Sequence, residues 1–152
     1  MQAAAQILGA KQSAQFDALI VHAAAAVTAR EALRQFALRA SRSQTLVPAE
    51  LLGRHGVAAD DLANGQKTPG LLSALAEFRT AARRHAGEAM KLLSRAVLDA
   101  ARPAFLHVGL VPLFLDDMER RDYDPFRTAI EVPQWRRQWR LWRLSRAPAQ
   151  AP

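Results

Sequence analysis

The feature that most constrains this chain is a long amphipathic helix whose start is marked in the sequence. Thr68 is a suitable N-cap, and Pro69 follows it at the first helical position, where proline is well tolerated. From Pro69 to about residue 95, apolar residues recur at helical spacing. They form one face of the helix: Leu71, Leu75, Phe78, Ala82, Ala89 and Leu93. This pattern predicts a helix over residues 69–95.

Similar spacing elsewhere predicts an all-α fold, a bundle of about six helices. Ser13 is a plausible N-cap for a helix to about residue 40, in which the alanines at 23–26 would let a neighbouring helix approach closely. With 32 alanines and no alternating strand pattern, the composition also favours helix. Other helices are predicted over 2–8, 48–56 and 101–121, with a further turn ending at 64–65 and a last helix from 134. We expect one domain over 1–146 and a disordered tail over 147–152.

Several kinds of enzyme chemistry find no support in the sequence. The chain has no cysteine, which excludes disulfides, zinc-thiolate sites and cysteine nucleophiles. Its four histidines are isolated from one another in sequence, and none forms an i, i+4 pair suited to a metal ion. They are His22, His55, His85 and His107. We therefore expect capping or core histidines, and no catalytic or metal-binding residue.

The acidic cluster at residues 116–119 invites comparison with helical Mg²⁺ motifs. Such motifs place carboxylates on one helix face so that their oxygens converge on the ion. Four residues after Asp116 and Asp117, however, stand Arg120 and Arg121. We therefore predict acid–base pairs on a helix surface, each worth about 0.2–0.5 kcal/mol, and no metal site.

Residues 30–57, REALRQFALRASRSQTLVPAELLGRHGV, carry a family resemblance. This stretch resembles the second conserved region of the squalene/phytoene synthase family, in which an acidic helix end leads through a basic connection into a Leu-Pro and a short helix. The matching basic residues are Arg34 and Arg42, and Val47-Pro48 stands in place of the Leu-Pro. The resemblance continues over nearly the whole chain. It implies the isoprenoid synthase fold, of which the chain would form the C-terminal half.

Two departures from the family pattern concern catalysis. The second Asp-rich motif of catalytic members would place Asp where this chain has Gln35 and Arg39. A tyrosine that is common just before the Leu-Pro in the family is replaced here by Leu46. Nothing in the chain corresponds to the first Asp-rich motif. The resemblance therefore implies the fold without the head-to-head condensation of prenyl diphosphates. The chain is more similar to a non-catalytic branch of the family, which includes a mitochondrial complex I assembly factor.

The C-terminal segment 134–146, QWRRQWRLWRLSR, holds five arginines, all three tryptophans and no acid. The tryptophans recur at i, i+4 and i+7 and share one helix face, and three arginines form the adjacent stripe: Trp135, Trp139, Trp142 and Arg136, Arg140, Arg143. Two interpretations remain open. The Trp face packs on the body of the protein, or the helix contacts a partner or an anionic membrane with its tryptophans at the headgroup level.

Three functions follow from these patterns. The leading hypothesis is a non-catalytic interaction or assembly protein, cytoplasmic or peripheral on the inner membrane, that requires no cofactor. The second is part of a prenyltransferase that uses Mg²⁺, with the first Asp-rich motif supplied by a missing N-terminal half. The third, a nucleic-acid-binding protein, has less support because the chain outside 134–146 is nearly neutral, with 16 basic and 14 acidic residues.

Overall fold

The computed structural model describes residues 13–94 and 102–146. All regular secondary structure in these two ranges is helical, which confirms the all-α prediction. The helices are α1 (Ala14–Arg34), α2 (Phe36–Ala40), α3 (Ala49–Arg54), α4 (Ala59–Ala63), α5 (Pro69–Leu93), α6 (Arg102–Phe105), a 3₁₀ segment (Leu106–Leu110), α7 (Val111–Asp117) and α8 (Gln134–Arg146). The helix predicted over 2–8 and the tail predicted over 147–152 lie outside the described residues.

Helices α1 and α5 form the centre of the fold and share its most extensive helix–helix contact. Both begin at the predicted caps: the Ser13 hydroxyl accepts the Phe16 N–H at 3.1 Å, and the Thr68 hydroxyl accepts the Leu71 N–H at 3.2 Å. Alanine is the most frequent residue on the buried faces of both helices. Because its side chain is small, the two helix backbones can approach closely. These buried alanines are Ala23, Ala26 and Ala29 of α1 and Ala82, Ala86 and Ala89 of α5. The close approach predicted for residues 23–26 is thus supported.

The connection between α1 and α5 is fixed at two glycines. Gly56 has φ +66°, a left-handed conformation that ends α3, and the next N–H, of Val57, bonds back to the Leu52 carbonyl at 3.0 Å. Gly70 lies at the start of α5, where a Cβ would overlap the carbonyl oxygen of His55. The end of α3 therefore sits directly against the first turn of α5, and only glycine fits there.

The prediction of one helix over 101–121 is wrong. The described part of that stretch contains α6, the 3₁₀ segment and α7, which ends at Asp117. Pro112 lacks the N–H that a continuous helix would need, and so it lies in the first turn of a new helix. Gly109 packs against the Leu144 side chain of α8. The segment bends because it must both accommodate proline and receive α8.

The acid–base pairs predicted within residues 116–121 are also wrong. Because α7 ends at Asp117, Arg120 and Arg121 do not continue its surface. Asp116 instead pairs with Arg83 of α5 at 2.7 Å, and Glu119 pairs with the same guanidinium at 2.9 Å. These carboxylates tie α7 to α5. Burial lowers the pKa of Arg83, but the two acidic partners outweigh burial and leave that pKa raised.

Candidate functional site

The degenerate motif positions meet at the C-terminal end of α1. The Glu31 carboxylate accepts hydrogen bonds from Arg30 Nη2 at 2.5 Å, Arg34 Nε at 3.0 Å and Gln35 Nε2 at 3.4 Å. Gln35 Oε1 in turn accepts Arg39 Nε at 3.0 Å. These five residues form a connected set that we call the Glu31 array. The array joins Gln35, Arg39 and Arg34, which were selected from sequence, through Glu31, which was not.

The break between α1 and α2 positions this array. Gln35 leaves the helical region with φ −96° and ψ 9°, yet its N–H still bonds to the Glu31 carbonyl at 3.0 Å. The chain then re-enters a helix at Phe36, which is buried. Gln35 and Arg39 consequently remain one turn apart on one side of the chain. The spacing of the family motif is kept, but its charges are not.

Glu31 is the one carboxylate of the array and lies among three of its arginines. Burial raises the pKa of the Glu31 carboxyl, but the hydrogen bonds from Arg34 and Arg30 outweigh that effect and hold the pKa below its usual range. Arg30 also stacks its guanidinium over the Phe114 ring, 5.1 Å from the centroid. Glu31 is thus a charged acceptor that is already engaged by its own neighbours.

This donor set does not fit a magnesium ion. Mg²⁺ requires oxygen ligands that converge on one point. Gln35 offers one amide oxygen, which already accepts from Arg39, and Arg39 brings a permanent positive charge. Within residues 13–94 and 102–146, no three or more His, Asp or Glu side chains cluster in a way that could hold a metal ion.

The other motif residues lie apart from the Glu31 array. The side chain of Arg42 is exposed, and its backbone N–H donates to the Arg39 carbonyl at 3.1 Å. Leu46, at the position of the family Tyr, is 49% exposed. Of the two basic residues that match the family motif, Arg34 belongs to the Glu31 array and the Arg42 side chain does not.

A cavity of about 640 Å³ lies beside the Glu31 array. Arg30, Glu31 and Arg34 form one wall, and the segment from Ile130 into α8 forms another. Three guanidinium groups, two carboxylates and several apolar side chains share the lining, so the cavity combines charged and apolar walls. Its other lining residues are Leu110, Phe114, Glu131, Val132, Pro133, Gln134 and Arg137. Sequence reasoning missed this cavity, because residues 130–137 reach α1 only through the tertiary fold.

Helix α8 exposes its aromatic face. Trp135, Trp139 and Trp142 are 68%, 56% and 46% exposed. Trp139 and Trp142 stack with ring centroids 4.9 Å apart, and Arg146 lies over Trp142 at 4.6 Å. The interpretation in which the Trp face packs on the body is therefore wrong.

The opposite face of α8 holds the helix on the protein. Leu144 packs against Gly109, and Arg140 Nε donates to the Gly109 carbonyl at 3.3 Å. Arg136 pairs with Asp117 at 3.8 Å. Arg136 and Arg140, two of the arginines predicted to contact a partner or a membrane, thus anchor α8 to the protein. Arg143 is exposed. Among the described helices, none combines the length and apolar character needed to cross a bilayer.

The fold and the site define an all-helical protein with a polar array and a cavity at the end of its first described helix. The family model described as squalene/phytoene synthase matches residues 1–143. The chain therefore belongs to the squalene/phytoene synthase family, which confirms the resemblance carried by residues 30–57. Neither the curated proteins nor the solved structures contain a significant match to it.

Proposed function

We propose that this chain is a non-catalytic member of the squalene/phytoene synthase family that acts as an interaction or assembly protein on an anionic membrane surface. The observation that carries the proposal is the exposed Trp face of α8, which holds Trp135, Trp139 and Trp142. An aromatic face presented to solvent on a basic helix marks an interaction surface. The inner face of a membrane, with its anionic lipids, is the proposed location.

The chemistry of α8 suits the headgroup region of a bilayer. Tryptophan prefers that region because its ring is apolar and its indole N–H is polar. Arg143 is exposed next to the Trp face, and Arg146 lies over Trp142. A basic group near an anionic surface contributes about 1 kcal/mol to binding. The anchored opposite face would keep the tryptophans directed outward when the protein docks.

The Glu31 array supports a non-catalytic role. Metal-dependent condensation of prenyl diphosphates would need carboxylates at the positions of Gln35 and Arg39. In their place an amide and a guanidinium bond to each other at 3.0 Å. Arginine cannot lose its proton to relieve repulsion of a cation. The array is thus better suited to holding α1 and α2 together than to holding a metal–diphosphate complex.

Vesicle binding tests the membrane part of the proposal. The full chain should sediment with vesicles that contain phosphatidylglycerol and much less with vesicles of phosphatidylcholine alone. Replacing the three tryptophans of α8 with serine should abolish sedimentation, and Arg143→Gln should weaken it about fivefold, which corresponds to about 1 kcal/mol. Val21→Ser is the matched control, because Val21 is 62% exposed on α1, outside the Trp face. Unchanged binding by the tryptophan variant would contradict the proposal.

A turnover assay tests the non-catalytic part. We expect no Mg²⁺-dependent condensation of farnesyl or geranylgeranyl diphosphate by the full chain. Detectable condensation would favour the second candidate, part of a prenyltransferase, which family membership and the Arg-lined cavity support. That candidate also predicts a DNA segment adjacent to this reading frame that encodes a helical D-x-x-x-D motif. Its absence from the neighbouring DNA would weaken the candidate.

A further inference from the structure

Two histidines that are 63 positions apart in sequence meet across the central helix pair. His22 of α1 and His85 of α5 have their Nδ1 atoms 2.9 Å apart. Their ring centroids are separated by 5.0 Å and their planes by 42°. Both side chains are half-buried, so each is accessible from solvent. The neighbouring positions Ala23 and Ala86 are buried in the α1–α5 contact, which fixes the two backbones that carry the rings.

We propose that His22 and His85 form an interhelical binding site for one divalent transition-metal ion, with both Nδ1 atoms as ligands. Water would complete the coordination, because no third His, Asp or Glu joins a cluster with them among the described residues. Imidazole nitrogen favours Cu²⁺, Ni²⁺ and Zn²⁺ over Mg²⁺. This inference does not depend on the proposed membrane function.

The separation of the two nitrogen atoms matches what one ion requires. With metal–nitrogen bonds of about 2.0–2.1 Å, adjacent ligands lie about 2.9 Å apart in a square arrangement and about 3.3 Å apart in a tetrahedral one. The observed 2.9 Å therefore needs a change of at most a few tenths of an ångström. Each ring must rotate so that both lone pairs point to a common position beside the line joining the nitrogens.

The proton balance of the pair also permits binding. In the hydrogen bond, one Nδ1 carries the proton and the other accepts it. When an ion enters, the donor ring keeps its proton but carries it on Nε2. Two neutral imidazoles thus supply two ligands without net proton release. Protonation of either ring at low pH removes a ligand, so metal affinity should fall as the solution becomes acidic.

The surroundings of His85 favour the neutral form of its ring. Burial, followed by the charges of His22 and Arg84, lowers the pKa of His85. Glu88 lies one turn after His85 on α5 and interacts electrostatically with His22, while its carboxylate accepts Lys91 Nζ at 2.8 Å. Among the described residues, these interactions place the Glu88 carboxylate, the Arg84 guanidinium and the Lys91 ammonium near the pair. Glu88 would supply negative charge near a bound ion.

Calorimetric titration of the full chain at pH 7.5 tests the site. We expect one ion per chain, tightest for Cu²⁺, weaker for Ni²⁺ and Zn²⁺, and no binding of Mg²⁺. Mutation of a residue that only hydrogen-bonds to a metal ligand lowers metal affinity about 10–100-fold. Removal of a ligand itself should cost at least as much, so His22→Gln and His85→Gln should each lower the affinity at least about tenfold. His55→Gln is the matched control, because the His55 imidazole contacts Glu77 instead, at 2.8 Å. It should leave the affinity unchanged.

Paramagnetic broadening provides a second measurement that needs no variant. Substoichiometric Cu²⁺ added to the wild-type chain should broaden the NMR signals of the His22 and His85 rings before those of His55 and His107. Absence of binding to the wild-type chain would overturn the proposal and leave the pair as a hydrogen bond between two helices. Equal broadening of all four histidines, or wild-type affinity in both the His22 and the His85 variant, would overturn it as well.

Discussion

Helices α5 and α8 are both amphipathic, but they use their faces in opposite ways. Helix α5 turns its apolar stripe inward, where Leu71, Leu75 and Ala82 are buried against α1 and its neighbours. Helix α8 contains no buried residue and turns its three tryptophans outward. It rests on the protein through Leu144 and the side chains of Arg136 and Arg140. Helical spacing therefore identifies a face in both cases, but what that face contacts is decided by the rest of the fold.

The difference separates stability from interaction. Burial of apolar surface contributes roughly 25 cal/mol per Å², so the α1–α5 pair is the main source of stability among the described helices. Helix α8 contributes less, because its largest side chains remain in water. Its tryptophans are available to a membrane or a partner without any unfolding of the core.

The largest expected effect contrasts two aromatic substitutions. Phe16 of α1 is fully buried and meets Phe105 edge-to-face, with centroids 6.3 Å apart. Phe16→Ala should therefore lower the free energy of unfolding by about 3–5 kcal/mol. Trp139→Ala, at a larger but exposed side chain, should change it by no more than about 0.5 kcal/mol. Urea denaturation followed by circular dichroism measures both. A similar cost at Trp139 would mean that the aromatic face is covered in solution.

A second prediction contrasts two glycines of α5. At Gly70 an added methyl group would meet the backbone carbonyl of His55, which cannot move without shifting α3. Gly70→Ala should lower the free energy of unfolding by about 1–3 kcal/mol, the range typical of overpacking in protein cores. At Gly87 nothing lies within 4 Å of the added atom. Gly87→Ala should stabilise the protein by up to about 1 kcal/mol through helix propensity. Thermal melts measure both variants. If Gly70→Ala stabilised the protein and Gly87→Ala destabilised it, the close contact between α3 and α5 would be contradicted.

Much of the fold could be predicted from sequence because its signals are local. Caps at Ser13 and Thr68, and the glycine that ends α3, act within one turn of where they stand. Periodicity then identified the buried face of α5. The prediction of one helix over 101–121 was wrong, because the structure of that stretch depends on contact with α8, which comes later in the chain.

The candidate site was only partly predictable for a related reason. The spacing of Gln35 and Arg39 is local and could be compared with a family motif. Glu31 gains its role from three neighbouring donors, and residues 130–137 reach the cavity through the tertiary fold. The contact between His22 and His85 joins two helices, so no spacing rule within one helix could reveal it.

A third prediction tests how α8 is held. Leu144 is half-buried against Gly109, and the Leu144 carbonyl accepts Arg102 Nη2 at 3.1 Å. Leu144→Ala should lower the free energy of unfolding by about 1 kcal/mol, roughly half of what full burial of a leucine side chain contributes. Hydrogen exchange should accelerate in α8 and not in α5, because the loss affects one local contact. Leu38→Ala, at a side chain that is 56% exposed, is the control and should leave both helices unchanged. Faster exchange in α5 as well would show that α8 unfolds together with the core.

The smallest expected effect concerns the paired charge of the Glu31 array, in contrast to the exposed arginines of α8. Because the folded-state pKa of Glu31 is lowered from its usual value of 4.5, its ion pairs stabilise the fold above that pH. Their contribution should disappear as the pH falls through the lowered folded-state pKa. With the carboxylate one-third exposed, the contribution is at most about 1 kcal/mol. Wild type should thus exceed Glu31→Gln in unfolding free energy at pH 6, and the gap should shrink by pH 3. A gap of equal size at both pH values would assign the role of Glu31 to packing and neutral hydrogen bonds. A gap that shrinks would instead show that the degenerate motif now serves as an ion-paired support for the end of α1.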